Sequence, residues 1–406
     1  HYVEIVKLIT DFYLEKSSFK QETKDKIINN FLVGAIYRWS TFTALLKQKY
    51  IPELYDTVTD ISKHVNCPKY VTDFLQKNNP KDLYAQMLCD WYLRVKKENL
   101  NIENPQTYNE KLQWLKLYNS TPIKTLLADK HLVRDWVAKT IGKKYLVPIY
   151  GSFDSFDEID FDKLPDKFVI KTNHGCGWNI IVTDKSKLDM AEAKSKMDRW
   201  MSDNYAYKWG TELHYRDIKP KIIIEKYIDP AESNHEIQIW CFSKQIKFVS
   251  VESIKDADTL VRGTFYPNEK PTEFAISPNH YKKMTSIPDK KAFHKALELA
   301  KKMLVDVPYV RIDFIEYNGS VLFRELTFTS GSGLSVIEPE KFNRVLGDWI
   351  QLPRLAYNID TGEYYKLKKI KPQISKEKRE IKPYLLFPPL QHQQVNHSFL
   401  ISIHKK

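Results

Sequence analysis

Residues 309–333 read YVRIDFIEYNGSVLFRELTFTSGSG and leave few ways to fold. Asn318-Gly319 lies between two runs rich in β-branched and aromatic residues, which is the pattern of a β-hairpin. Successive side chains on each strand point to opposite faces, so the parity of the loop decides which charges meet. A type I turn ending on Gly319 as a G1 bulge makes a three-residue loop. That loop puts Arg311, Asp313, Glu325 and Thr327 on one face. A two-residue turn would send Glu325 to the face opposite Asp313. The expectation is the three-residue loop. Two carboxylates side by side on adjacent strands repel unless compensated. Such hard oxygens suit Mg²⁺, which takes one or two carboxylates and completes its shell with phosphates and water. The other reading is a surface pair neutralised by Arg311 and Arg324. Ser330-Gly331-Ser332-Gly333 then adds a tight loop of backbone donors, suited to an oxyanion or a phosphorylated intermediate.

A second stretch, Lys167–Gly177 (KFVIKTNHGCG), joins a short apolar strand to a lysine and a glycine loop. Only 12 of 406 residues are glycine, so two of them directly after a strand need a reason. Gly175 and Gly177 let the backbone approach a ligand closely, and exposed N–H groups there can nest an anion beside Lys171. The spacing is neither G-x-x-x-x-G-K-[ST] nor G-x-G-x-x-G, so a plain hairpin turn stays open.

The chain carries 63 Lys+Arg against 51 Asp+Glu, a net charge of +12, which favours anionic partners. Its basic residues are dispersed except near the C-terminus. Cys67, Cys89, Cys176 and Cys241 show no C-x-x-C spacing, which argues against a zinc site and for a reducing, cytosolic setting. The most apolar stretch, Phe31–Leu46, is too short to span a bilayer and contains Arg38, so it reads as a buried helix. No signal peptide is read, and the start at His1 is taken as a tag remnant or a fragment with more sequence upstream.

Residues 1–78 read as amphipathic helices. Asn79-Pro80 opens a further helix running to about Lys97. Thr107–Glu110 is a capping box. A helix over Asp129–Ile141 ends at Gly142 and places Lys130 and Arg134 one turn apart on a shared face. Strands are expected at Lys167–Lys171, Trp178–Thr183, Lys221–Ile228, Glu236–Phe242 and Gln245–Glu252, with helices at Met190–Met201 and Ala292–Leu304. Residues 366–406 read as a basic tail.

Taken in order, these are a lysine-bearing helix, a strand–lysine–glycine loop, a strand ending Glu-Lys-Tyr-Ile and an R-x-D…E-x-T hairpin. That order resembles the ATP-grasp fold. DKHLVRDW, FVIKTNHGCG, YVRIDF and ELTFTSGSG resemble the TupA-like ATP-grasp proteins of bacterial surface-polysaccharide clusters. The implied architecture is α+β: a lid subdomain and an antiparallel-sheet catalytic subdomain, with an extra N-terminal helical region. The boundaries read as 1–78 (N-terminal helices, the end of an upstream domain), 79–165 (first subdomain), 166–230 (lid) and 231–365 (metal-bearing subdomain).

The resemblance implies ATP and Mg²⁺ as cofactors. It gives Lys130 and Lys171 to the ATP phosphates and Gly175 and Gly177 to the closing lid loop. Glu225 and the backbone of Lys226, Tyr227 and Ile228 fall to the adenine, Asp313 and Glu325 to the metal, and Arg311 to charge in phosphoryl transfer. Thr327 stands where many relatives carry a third metal ligand, asparagine. Gln238 cannot supply the lysine charge found after the hinge in relatives. His174 beside the glycine loop is a weak candidate for a base.

The implied activity is amide ligation through an acyl phosphate. A small amine (ethanolamine, serinol, their phosphates or an amino acid) would join a uronic acid such as UDP-glucuronate in capsule synthesis. Alternatives are a kinase on the same fold or a non-catalytic nucleotide or polyanion binder. The partners expected are small anionic substrates and a fused or associated glycosyltransferase upstream, with no nucleic acid. The expected location is cytoplasmic, with a position near the inner membrane allowed.

Overall fold

The computed structural model describes residues 80–229, 235–256, 259–278 and 281–367, with isolated positions 21, 25, 28, 58 and 61. The expected helices of residues 1–78, the apolar stretch Phe31–Leu46, the Asn79 cap and the tail from residue 368 lie outside the described residues. Contacts divide the chain into two compact units, residues 1–99 and 100–406. In the first, α1 (Pro80–Lys96) starts on proline and buries Tyr84, Leu88 and Tyr92, a stripe at every fourth position. Among the described residues no helix is long and apolar enough to cross a membrane.

The second unit begins with α2 (Tyr108–Tyr118), whose capping box is complete. Glu110 N donates to Thr107 Oγ1 at 3.2 Å, and Thr107 N donates to Glu110 Oε2 at 2.9 Å. The expected helix over Asp129–Ile141 is broken. Instead α3 (Pro122–Ala128) and α4 (Val133–Thr140) flank a turn that holds Lys130. The cause is the Asp129 side chain, whose Oδ1 accepts from His131 N (2.8 Å) and Leu132 N (3.1 Å) in place of a continuing helical ladder.

An antiparallel sheet follows: β1 (Ile149–Phe153), β2 (Phe168–Thr172), β3 (Asn179–Val182) and β4 (Ile222–Lys226), in the order β1-β4-β2-β3. One face (Phe168, Ile170, Ile222, Ile224) packs on α5 (Met190–Met201) through Ala193 and Met197. The other carries Val169, Lys171, Ile223 and Glu225.

The larger sheet contains β5 (His235–Phe242), β6 (Gln245–Asp256), β7 (Thr259–Phe265), β9 (Lys282–Lys283), β10 (Tyr309–Tyr317) and β11 (Ser320–Thr327). Its order is β11-β10-β5-β6-β7-β9. Ile237, Ile239, Val249, Val251, Val310, Ile312 and Phe314 form its apolar face, covered by α6 (Lys290–Lys302) through Phe293, Ala296, Leu297 and Ala300. The opposite face carries Asp313, Gln238, Ser250 and Glu252 together with a buried aromatic cluster of Trp240, Phe242, Phe248 and Tyr309 packed on Tyr108 of α2. Shorter pairs (β8 Ala275–Ile276 with β12 Ile337–Glu338, and β13 Ala356–Asn358 with β14 Glu363–Tyr365) and α7 (Lys341–Trp349) complete the unit.

The β10–β11 hairpin corrects the sequence reading in its mechanism and keeps its result. The loop has two residues, Asn318 (φ 49°) and Gly319 (φ 69°), both left-handed as a type I′ turn requires. Asp313 nevertheless pairs with Glu325, and Arg311 with Thr327. Phe314 pairs with Phe323, so Arg324 is the extra residue of a β-bulge inside the strand. The odd residue expected in the loop is in β11.

Candidate active site

The polar end of the hairpin is a compact charge network. Asp313 is 1% exposed and receives two bonds from Arg311, Nε to Oδ1 at 2.7 Å and Nη2 to Oδ2 at 2.5 Å. Glu325 lies 3.9 Å from Arg311 Nη2 and 3.8 Å from Lys130 Nζ. Thr327 Oγ1 accepts from Arg311 Nη2 at 3.4 Å and donates to Glu325 Oε1 at 3.3 Å. Burial alone would raise the Glu325 carboxyl, but Lys130, Arg311, Arg324 and Lys171 outweigh it and hold the group below its usual range. Asp313 is raised by burial, with Arg311 opposing.

Two carboxylates and a hydroxyl converging from paired strands are a hard-oxygen set that fits Mg²⁺. Among the described residues no group of three or more His, Cys, Asp or Glu could hold a metal. A divalent ion on Asp313 and Glu325 would therefore be one that fills its shell from nucleotide phosphates and water.

The smaller sheet contributes a second pair. Val169 is the register partner of Glu225, which puts Lys171 diagonally across from Glu225 on one face. Their Nζ–Oε2 separation is 2.5 Å. Arg134 approaches the other Glu225 oxygen at 3.7 Å and donates to Val147 O at 2.8 Å. Lys130 and Arg134 thus do not act as a shared helical face; each serves a different pair. Burial lowers the Lys171 pKa against the pull of Glu225. The hinge is anchored by Lys226, whose backbone N donates to Pro148 O at 2.9 Å and whose Nζ donates to Tyr317 Oη at 2.8 Å. Tyr227 and Ile228, next in the hinge, are 8% and 2% exposed.

Lys130 joins the two sheets, donating from Nζ to Gly175 O at 2.7 Å while facing Glu325. The glycine loop is pinned from behind by Asn173, which sequence reading passed over. Its Nδ2 donates to Asp129 Oδ1 (3.0 Å) and Lys219 O (2.9 Å), and its Oδ1 accepts from Lys221 N (2.7 Å). His174 is buried, with ring nitrogens at 3.2 Å from Asn173 Oδ1 and 3.1 Å from Trp200 O, to one of which the neutral ring donates, and burial lowers its pKa. It is a structural residue of the loop. The Cys176 thiol is pushed up to about 11 by burial, with Glu325 adding to the shift, which leaves it inert.

Gly175 has a steric reason to be glycine. A Cβ there would lie 2.4 Å from Trp178 Cε3, and Trp178 is itself held edge-on to Tyr205 at 5.2 Å. Gly175→Ala is expected to cost about 1–3 kcal/mol through displacement of that ring. A melting curve checks this, and an unchanged midpoint would remove the steric account. Gly177 has φ 72° and open space around it.

The Ser330–Gly333 turn is braced by residues that carried no sequence signal. Lys116 Nζ donates to Ser332 O (2.8 Å) and Oγ (2.9 Å), and Gln113 Nε2 to Ser332 O (3.0 Å) and Gly333 O (2.9 Å). Glu212 accepts from Thr329 Oγ1 at 2.5 Å and Ser332 Oγ at 3.3 Å. Both lie in stretches whose pattern is that of ordinary packing. On its other, buried side, Ser330 Oγ meets Tyr309 Oη at 2.6 Å and Arg311 Nη1 at 3.4 Å, which sets the turn against the carboxylates.

Residues 110–351 match the TupA-like ATP-grasp family, more than half of the chain. No curated protein matches. Among solved structures, D-alanine–D-alanine ligase from Bacillus anthracis is 15% identical at TM-score 0.35, covering 60% of this chain and 72% of that one. An L-amino acid ligase from Bacillus licheniformis is 14% identical at TM-score 0.35, covering 55% of this chain and 48% of that one. N5-carboxyaminoimidazole ribonucleotide synthetase from Thermus thermophilus is 13% identical at TM-score 0.31, covering 54% of this chain and 51% of that one. So remote a likeness to solved structures adds no argument of its own. The family match carries the assignment: this chain belongs to the TupA-like ATP-grasp family.

Proposed function

We propose that this ATP-dependent carboxylate–amine ligase joins a small amine to a uronic acid, free or as a nucleotide sugar such as UDP-glucuronate, in capsular polysaccharide synthesis. The observation that carries the reading is the network Lys130–Glu325–Arg311–Asp313, two carboxylates held between cations at the meeting of two sheets. When bound there, Mg²⁺ supplies charge neutralisation to the nucleotide phosphates.

The chain's own residues supply the rest. Lys130, from the α3–α4 turn, and Lys171, from β2, approach the phosphates, with Glu225 and the hinge backbone left for adenine. Arg311 faces the oxygens that gain charge. A substrate carboxylate oxygen attacks the γ-phosphorus and ADP leaves, giving an acyl phosphate. The amine nitrogen then attacks the carbonyl carbon, loses a proton and displaces phosphate. The glycine loop shields the acyl phosphate from water. A surplus of positive charge suits anionic, nucleotide-bearing substrates.

ADP release with Mg²⁺, over a grid of uronic acids against small amines, tests the reading. ADP that requires both partners is expected. ADP with the acid alone would instead mark a kinase, if a stable phosphorylated acid accumulates, or hydrolysis of the acyl phosphate, if only free phosphate does; ADP with no pair in the grid would sink the substrate assignment.

A further inference from the structure

A groove that shares Asp129 and Lys219 with the anchor of the glycine loop plays no part in the ligase chemistry. It encloses about 330 Å³ between the α3–α4 turn, the segment before β4, and β13. Pro122, Leu126, Leu132, Ile218, Tyr357 and Ile359 line it. Ile218 and Tyr357 are buried, whereas Leu126 and Leu132 stand 39% and 50% exposed at the mouth, with Ile123 close by on α3 at 40%. The groove is therefore open to solvent.

Its charged groups are already engaged. Asp129 Oδ1 accepts from His131 N, Leu132 N and Asn173 Nδ2. Asp217 is held through both oxygens by Arg216, at 2.8 and 3.1 Å. The Lys219 side chain is 81% exposed, with Nζ 3.9 Å from Asp154. With both carboxylates bonded, the groove selects its occupant by apolar contact.

The chain itself supplies such an occupant. β14 pairs with β13, Tyr365 opposite Ala356 and next to Tyr357, so the backbone reaches residue 367 beside the groove wall. Residues 368–383 follow, with seven Lys+Arg and two Glu, and then residues 384–390, YLLFPPL, which carry no charge. An apolar run of that length is an aggregation liability unless it finds apolar surface. The 16 intervening residues can span up to ~55 Å, many times the strand spacing that separates β14 from the groove wall. Tethering at that length gives an effective concentration on the order of mM, so a weak contact suffices. Pro383, Pro388 and Pro389 each fix φ near ~−65°, which favours an extended run that loses little freedom on docking. Tyr357, its ring centre 5.2 Å from that of Tyr364, offers an aromatic wall of the kind on which proline-bearing runs pack.

We infer that residues 384–390 dock in this groove of the same chain. The docked run bridges the turn that carries Lys130 and the segment that carries Lys219. Asn173 Nδ2 already ties those two sides through Asp129 Oδ1 and Lys219 O.

Photocrosslinking of the full chain tests this, with benzoylphenylalanine in place of Phe387. Irradiation is expected to attach it to residues 122–132, 217–219 or 357–359 of the same chain, with a yield unchanged on about tenfold dilution. Leu126→Asp and Leu132→Asp each charge the mouth and are each expected to lower that yield about fivefold or more. Both positions are exposed, so both variants should melt close to wild type. Unchanged yields in the two variants would overturn the inference, as would crosslinks elsewhere on the chain or none at all. Crosslinks to the groove of a second copy, detected by mixing isotopically heavy and light protein, would also overturn it and make the groove an interface between copies.

Discussion

Asp313→Asn is expected to cut acid- and amine-dependent ADP release by about 10³-fold or more, equivalent to at least ~4 kcal/mol of lost transition-state stabilisation. Asparagine keeps the shape and one acceptor but removes the charge that would hold a divalent ion opposite Glu325. The substitution also strips Arg311 of its two-bonded partner in a site where Asp313 is 1% exposed. Removing one side of a buried pair costs roughly 3–5 kcal/mol, so this variant should melt earlier as well. Glu325→Gln separates the two effects. Its side chain is 32% exposed and its cations lie at 3.8 and 3.9 Å, so little stability depends on it. The same loss of ADP release with a nearly unchanged melting point is expected there. Retained turnover in Glu325→Gln would mean that the hairpin carboxylates do not serve a metal.

Lys124→Met is expected to stabilise the protein. Lys124 is 2% exposed, no carboxylate among the described residues pairs with it, and its ammonium lies 5.6 Å from the centre of the Phe328 ring. Burial pushes its pKa down to about 7 from 10.5. The effect reaches its neighbour: His214, fully buried, is held well below its usual range by burial and then by Lys124 and Lys116. Keeping Lys124 inside near neutral pH costs roughly 4 kcal/mol by that shift. Methionine fills similar space without the charge, so a gain of about 2–4 kcal/mol, or roughly 2–5 °C for a chain of this length, is expected at pH 7.

Between about pH 7 and pH 10.5 the unfolded chain holds a proton on Lys124 that the folded chain lacks. Wild-type stability from this group therefore rises with pH across that window, and the variant's advantage shrinks. Below the window both states are protonated and the advantage is constant. Melting curves of both proteins at pH 7 and pH 9.5 check this. A gap that does not narrow with pH would show that Lys124 is not the titrating group.

What the sequence made legible was local. The Thr107–Glu110 box, the bounds of Met190–Met201 and the strands around the glycine loop follow from caps and alternation acting over a few residues. The shared face of Arg311, Asp313, Glu325 and Thr327 was readable, but for the wrong reason: Asn-Gly fits a tight type I′ turn so well that the loop stayed short. The broken helix at Lys130 was hidden because an aspartate's choice between capping and continuing depends on Asn173, 44 residues away. Lys116 and Glu212 were invisible for the same kind of reason. Their role is to brace a loop more than a hundred residues downstream, and nothing in LQWLKLY distinguishes a brace from a core helix. The row of Asp313, Gln238 and Ser250 depends on two strand registers at once, which alternation along any one strand cannot supply.

The bulge at Arg324 makes the hairpin two ladders in different phase, joined by one extra residue. Such a joint absorbs slippage. Were the turn to widen to three residues by taking in Ser320, every pair would shift by one, and a regular strand without the bulge would again set Asp313 opposite Glu325. Widening of the turn into the strand and loss of the bulge cancel. The pairing of the two carboxylates is thereby insulated from a change of turn at the exposed end of the element that carries them.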